Sequence, residues 1–209
     1  MNNKFSIKTE RIQDLSDGIF AFAMTLLMLN IDIPILAEEV AREQLPSQLF
    51  NLIPSFFNFA VSFILLGSLW YIHHKQFHVL KSTTEGITWV NMIMLLFVVL
   101  LPLTTELMEE YIYVSAAVLM FNVNLLILFL LYAWIWRQAS KHKLMDEDFA
   151  RDSYLAVKKT TIIIIVIAIA AIMLGLIFPQ ESVFVYLLIP LLVFVSGYQE
   201  KKKKLPIAS

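Results

Sequence analysis

The sequence predicts an all-α integral membrane fold in which six helices cross the bilayer and residues 1–209 form a single domain. Three observations carry this. Hydrophobic residues make up 59% of the chain against 16% charged, with a mean hydropathy of +0.73. Apolar runs of spanning length recur along it, and all positive charges but Arg42 fall in alternate connections. No ordinary soluble domain has this composition. A soluble six-helix bundle would carry a polar stripe on each helix, and these segments lack one.

A spanning helix needs about 20 predominantly apolar residues. The first span is read at Leu15–Ile33, where the charged heptad Arg11–Asp17 runs directly into Gly18-Ile-Phe-Ala-Phe-Ala-Met-Thr-Leu-Leu-Met-Leu29. No small-residue cleavage site follows it, so a removable signal peptide is not expected. The second, Leu49–Ile72, has Pro54 in its first turns, where a missing amide donor costs least. The third is Gly86–Leu103. The fourth, Tyr111–Trp136, has Tyr111 and Tyr113 at one end and Tyr132, Trp134 and Trp136 at the other, as interfacial belts do. The fifth, Thr160–Phe178, holds the small pair Ala171 and Gly175, suited to close helix contact, and Ile162–Ile167 as lipid-facing bulk. The sixth, Val183–Tyr198, is short and contains Pro190.

Lysine and arginine set the orientation. With the amino terminus inside, the inner segments hold Lys4, Lys8, Arg11, Lys75, Lys81, Arg137, Lys141, Lys143, Arg151, Lys158, Lys159 and Lys201–Lys204, and the outer loops only Arg42. Both termini are therefore expected in the cytosol of a multi-pass protein of the cell membrane. Membrane lipids are the expected surroundings, the Lys201–Lys204 tail serving chiefly to anchor topology. Glu38, Glu39, Glu43, Glu109 and Glu110 lie outside, which the same bias explains.

On a helical wheel Arg11, Leu15, Gly18, Phe22, Thr25, Leu26, Leu29 and Ile33 share one face of the first span. Asp17 points roughly 140° from Phe22, and Ser16 roughly 120° the other way. The apolar stripe with its lone hydroxyl thus faces a seam or pore, while Ser16 and Asp17 face neighbouring helices. A carboxylate at this depth needs partners. Those available at the same end are Trp70, His73, His74 and Asn91, and with Arg11, Ser16 and Asp17 they form a candidate structural network of indole, amide and charged groups.

Other chemistry has little to stand on. The chain has no cysteine, so disulfides and thiolate sites are excluded. His74 and His78, four apart, lack a third metal ligand. No nucleophile elbow, ligand triad or paired carboxylates mark an enzyme, and nothing beyond the lysine tail speaks for nucleic acid. No cofactor is implied. A proton-coupled secondary transporter using Asp17 and a histidine is the rival to a channel, although the internal repeat of many transporters is missing.

Arg11-x-x-x-Leu15-Ser16-Asp17, the following Gly-Ile-Phe-Ala-Phe-Ala-Met-Thr-Leu-Leu and Trp70-x-x-His73-His74 resemble the transmembrane protein 175 family, the endosomal and lysosomal potassium channels and their bacterial relatives. A single repeat resembles the bacterial form. The resemblance implies a homotetramer of six-helix subunits, permeant potassium, and a central pore lined by the first helix without a carbonyl filter. It places the pore constriction on Phe22, Leu26 and Leu29 and the hydroxyl layer, with its share in selectivity, on Thr25. Two positions depart from the pattern. Leu15 stands where the motif has phenylalanine, and Phe22 where the narrowest layer usually has isoleucine or leucine.

Overall fold

The computed structural model describes residues 8–145 and 151–195, and these are helical almost throughout. α1 (Thr9–Leu26) runs on into a 3₁₀ turn, Leu27–Asn30. α2 (Glu38–Asn51) and α3 (Ile53–His78) follow one another with only Leu52 between them. α4 is Glu85–Glu110, α5 Ser115–Lys141 and α6 Arg151–Gly175. α7 (Pro179–Phe184) passes through a 3₁₀ turn at Val185–Leu187 into helix at 188–195.

Five of these are long and apolar enough to cross a membrane: Thr9–Asn30, Glu38–His78, Glu85–Glu110, Ser115–Lys141 and Val157–Gly175. The sixth expected span appears as a shorter apolar helix, Pro179–Val195; positions 196–198, like Lys4 and the Lys201–Lys204 tail, lie outside the described residues. The stretch read as an outer loop before the second span is helical as α2. Its first turn carries Glu38 and Glu39, which complement the positive end of the helix dipole. The break to α3 falls at Leu52, just before Pro54, whose ring nitrogen has no proton to continue the ladder.

The core runs between α3, α4 and α5 and is closed by α1 on one side and α6 on the other. Leu66, Leu69, Met94, Val98, Leu125 and Ile135 are fully buried in it. Thr84 caps α4, its Oγ1 accepting from the Ile87 amide at 3.3 Å, so the chain turns sharply out of α3 and back into the bundle. At that end the Lys81 amide donates to the Leu144 carbonyl at 2.9 Å and Leu80 bridges to Met145. Lys75, Lys81, Lys141 and Lys143 therefore gather at one end of the bundle, the basic end. Glu106, Glu109 and Glu110 lie at the other, the acidic end.

Two sequence expectations change. Ile162–Ile167 is not uniformly outward: Ile164 is buried while Ile162 and Val166 are exposed, since a helix turns successive residues by about 100°. Tyr132 and Trp136, expected in an interfacial belt, are buried. Tyr132 donates its hydroxyl to the Leu69 carbonyl at 2.9 Å, and Trp136 stacks on Tyr154 with centroids 6.0 Å apart. For Tyr132 the polar handle that suits such a ring to an interface is satisfied inside.

Candidate functional site: the first helix and its anchors

α1 buries Ile12, Ser16, Phe20, Ala23 and then Leu27, the spacing of one helical face. That face packs on α3 and α4. It approaches α3 closely enough that a Cβ at Gly67 would stand 3.0 Å from the Met24 methyl. Among the described residues the opposite face has no partner. Phe22 is 59% exposed and Leu29 75%; Leu15, Gly18 and Thr25 are also exposed, and Leu26 is half-buried at the edge. The wheel's stripe thus emerges as the helix's outward face.

Thr25 donates its hydroxyl to the Phe22 carbonyl at 2.7 Å, the back-bond a mid-helix threonine commonly makes. Its two oxygen lone pairs remain available on the exposed side.

The polar residues turn inward at the basic end. Ser16 donates to the Ile12 carbonyl at 2.7 Å and accepts from the Asn91 amide at 3.1 Å. The Asn91 carbonyl oxygen accepts from His73 Nε2 at 2.9 Å, which fixes the proton of a neutral imidazole on Nε2. Ser16, Asn91 and His73 are wholly buried, so α1, α4 and α3 share one hydrogen-bonded line. His73 is held flat against Phe77 at 4.4 Å between ring centroids, with Phe20 at 5.7 Å, and its Nδ1 is buried with no hydrogen-bond partner among the described residues. One turn away, the Trp70 indole donates to Asp17 Oδ1 at 2.7 Å, a charge-assisted bond of the stronger class.

The structure therefore brings together Ser16, Asp17, Trp70, His73 and Asn91. Arg11 is exposed and its side chain makes no hydrogen bond or ion pair among the described residues; it sits six positions before Asp17, roughly 120° round the helix. His74 does not reach Asn91. It lies against the Trp70 ring at 5.6 Å and stacks on His78 at 6.2 Å. Among the described residues no group of three metal-ligating side chains forms.

Three polar anchors escaped the sequence reading. Gln76 Nε2 donates to the Tyr132 carbonyl at 2.9 Å, Tyr132 to Leu69 as above, and Asn30 Nδ2 to the Pro102 carbonyl at 3.1 Å. The signal was available for Asn30, a lone amide closing an apolar run. In the fourth span, Asn122 donates to the Ala171 carbonyl at 3.1 Å and Asn124 to the Phe97 carbonyl at 3.2 Å. The small pair Ala171 and Gly175 thus serves packing within the subunit.

A multi-helix membrane fold whose first helix keeps its polar groups inside and shows an apolar stripe outward is the class these observations define. The family model for the endosomal/lysosomal potassium channel TMEM175 matches residues 11–102, which are α1 to the middle of α4. A potassium channel of Chamaesiphon minutus is 36% identical over 104 residues, 50% of this chain and 51% of that one. The endosomal/lysosomal proton channel TMEM175 of Gallus gallus is 30% identical over 110 residues, 50% of this chain and 22% of that one. The chain matches about half the length of the bacterial relative. The crystal structure of a lysosomal potassium-selective channel TMEM175 homologue from Chamaesiphon minutus superposes with a TM-score of 0.78 at 28% identity, covering 90% of this chain and 97% of that one. The chain is similar to the transmembrane protein 175 channels by sequence through its first helices and by fold over 90% of its length.

Proposed function

We propose that the chain is one subunit of a potassium-permeable cation channel, modestly selective for potassium over sodium, in which four copies of α1 surround a central path. Phe22, Leu26 and Leu29 form its apolar constriction and Thr25 its hydroxyl layer. One observation carries the reading. Among the described residues the stripe holding these side chains is left without a partner, in a chain whose fold follows a solved channel homologue.

A narrow apolar passage expels water, and an ion crossing it must shed part of its hydration shell. Potassium gives up water at lower cost than sodium, so such a bottleneck favours potassium modestly. Thr25 oxygens then replace part of the lost shell. Four Phe22 rings close the path when edge-in and offer negative ring faces to a cation when turned. Opening requires only a small tilt or rotation of α1. The path needs no resident cofactor.

The transporter alternative asks Asp17 to exchange a proton with a histidine. Asp17 instead faces an indole N–H, which donates and does not relay, while His73 is engaged with Asn91. That geometry supports anchoring over proton coupling.

The test is purified protein in liposomes under imposed potassium or sodium gradients. A channel passes uncoupled flux down either gradient, faster for potassium. Replacing Phe22 by asparagine should raise flux and lower the preference, because a hydrated ring no longer dewets. Equal or lower flux in Phe22→Asn rules out the constriction. Flux that appears only with a proton gradient favours the transporter.

A further inference from the structure

α1 is tied down at both ends, and its outer tie has no role in the network at the basic end. Past Leu26 the helix tightens into the 3₁₀ turn Leu27–Asn30, where residues three apart eclipse one another. Leu27 and Asn30 therefore share a face and turn toward α3 and α4, while Met28 and Leu29 turn outward. Leu27 is fully buried and Ile31 nearly so, bracketing the exposed Leu29. Asn30 closes the turn by donating Nδ2 to the Pro102 carbonyl at 3.1 Å.

The acceptor is the proline inside α4. Pro102 withdraws the amide that would meet the Val98 carbonyl, and its ring crowds the preceding turn. The neighbouring backbone is braced from the other side. Asn124 of α5 donates to the Phe97 carbonyl at 3.2 Å and lies 3.4 Å from Thr104 Oγ1, while Thr104 donates to Leu101 at 3.0 Å. The proline of α4 is thus a fixed point between α5 and the end of α1.

We propose that Asn30 is a positioning residue for the outer apolar layer: its bond to the Pro102 carbonyl sets the rotation of the 3₁₀ turn and so aims Leu29 at the central path. The proposal rests on the channel reading above. A plain α-helical continuation would advance Leu29 by about 100° per residue from Leu26, whereas the 3₁₀ turn advances it by about 120°. The accumulated difference of about 60° over three residues is enough to move a side chain off the axis. What holds the tighter turn in place is the amide of Asn30.

The chain has no cysteine, so a single introduced thiol reports alone. Leu29→Cys and Phe22→Cys are made in the full chain, each with Asn30 intact, with Asn30→Leu and with Asn30→Asp. Leucine keeps the shape of asparagine without its donor, and aspartate keeps the size and offers only acceptors. The proteins in liposomes are treated with a charged, water-soluble thiosulfonate. With Asn30 intact both cysteines label. Loss of the donor should slow labelling at Leu29→Cys by roughly three- to tenfold, the population shift that one lost hydrogen bond permits, while Phe22→Cys stays within about twofold. The ratio of the two rates is read, so a smaller folded fraction does not mimic the effect. If both cysteines label and the ratio is the same in all three backgrounds, the positioning role is overturned and the channel reading stands. If neither cysteine labels with Asn30 intact, the stripe does not face water, and the channel reading falls together with the role of Asn30.

Discussion

Asn91 is the node on which α1, α3 and α4 agree, and replacing it with leucine should be costly out of proportion to its size. It is fully buried, accepts from His73 Nε2 at 2.9 Å and donates to Ser16 Oγ at 3.1 Å. Two interhelical hydrogen bonds disappear, worth together about 1–3 kcal/mol at the modest values found inside membranes. Ser16 keeps its own donor satisfied by Ile12 and loses only a partner for its oxygen. His73 fares worse. Among the described residues its Nε2 proton has no other acceptor, and moving it to Nδ1 does not help, because Nδ1 is buried there without a partner. Either tautomer strands a donor at roughly 1–3 kcal/mol. Asn91→Leu should therefore destabilise the protein by about 2–5 kcal/mol, measured by reversible unfolding in mixed micelles. The double variant His73→Phe with Asn91→Leu should recover most of that loss. It removes both polar partners, and a phenyl ring fits between Phe77 and Phe20 where the imidazole now stacks. An Asn91→Leu protein within about 0.5 kcal/mol of the native one, or a double variant no better than the single, would refute the reasoning.

Thr25→Val removes the only hydroxyl on the exposed stripe while keeping its shape, and since the hydroxyl's donor is already spent on the Phe22 carbonyl the helix itself should be little disturbed. Potassium-over-sodium discrimination, read from reversal potentials, should fall; unchanged potentials exclude the hydroxyl layer. Gly175→Ala should destabilise by about 1–3 kcal/mol in the same micelle unfolding, because the added methyl stands 3.0 Å from Asn122 Nδ2, 3.3 Å from Ser182 Oγ and 3.5 Å from Val118 Cγ1. Asn122 cannot simply retreat, being held to the Ala171 carbonyl at 3.1 Å. A neutral result would mean that α5 and α6 slide apart at little cost.

The fold was legible because lipid makes composition decisive. Long apolar runs bounded by lysines fix helices and their alternation with little dependence on side-chain detail. Their ends were not legible, since helices project beyond the apolar band. α3 reaches His78 and α4 reaches Glu110, where charged residues sit on helix at no burial cost. In the site, Ser16, Asp17, Trp70, His73 and Asn91 could be grouped because each is a polar group that an apolar span cannot leave unpaired. Which histidine joined them was undetermined by spacing and is decided by packing: His73 fits flat on Phe77, while His74 is turned to Trp70. Arg11 was grouped by charge alone, and charge alone does not overcome a position on the outward face. Tyr132 misled because an aromatic ring at a span's end has two good places for its hydroxyl, the interface and a free carbonyl inside.

An exposed apolar stripe in a membrane chain has two uses, facing lipid or facing a path, and hydrophobicity does not separate them. α6 supplies the comparison within the same molecule. From Ile162 on, its exposed positions are Ile162, Ile163, Val166, Ile169, Ala170, Met173 and Leu174, bulky at all but Ala170 and without a glycine or a hydroxyl, as acyl chains allow. The exposed face of α1 has a different texture: Leu15, Gly18, Phe22, Thr25 and Leu29 interleave a glycine and a hydroxyl with the large residues. At Gly18 a Cβ would meet nothing within 4 Å, so no close contact among the described residues requires the glycine there. Lipid gives no reason for a hydroxyl or a missing side chain. Both fit a surface that another copy of α1 approaches and along which an ion has to be partly solvated, and neither belongs on the face that α6 presents.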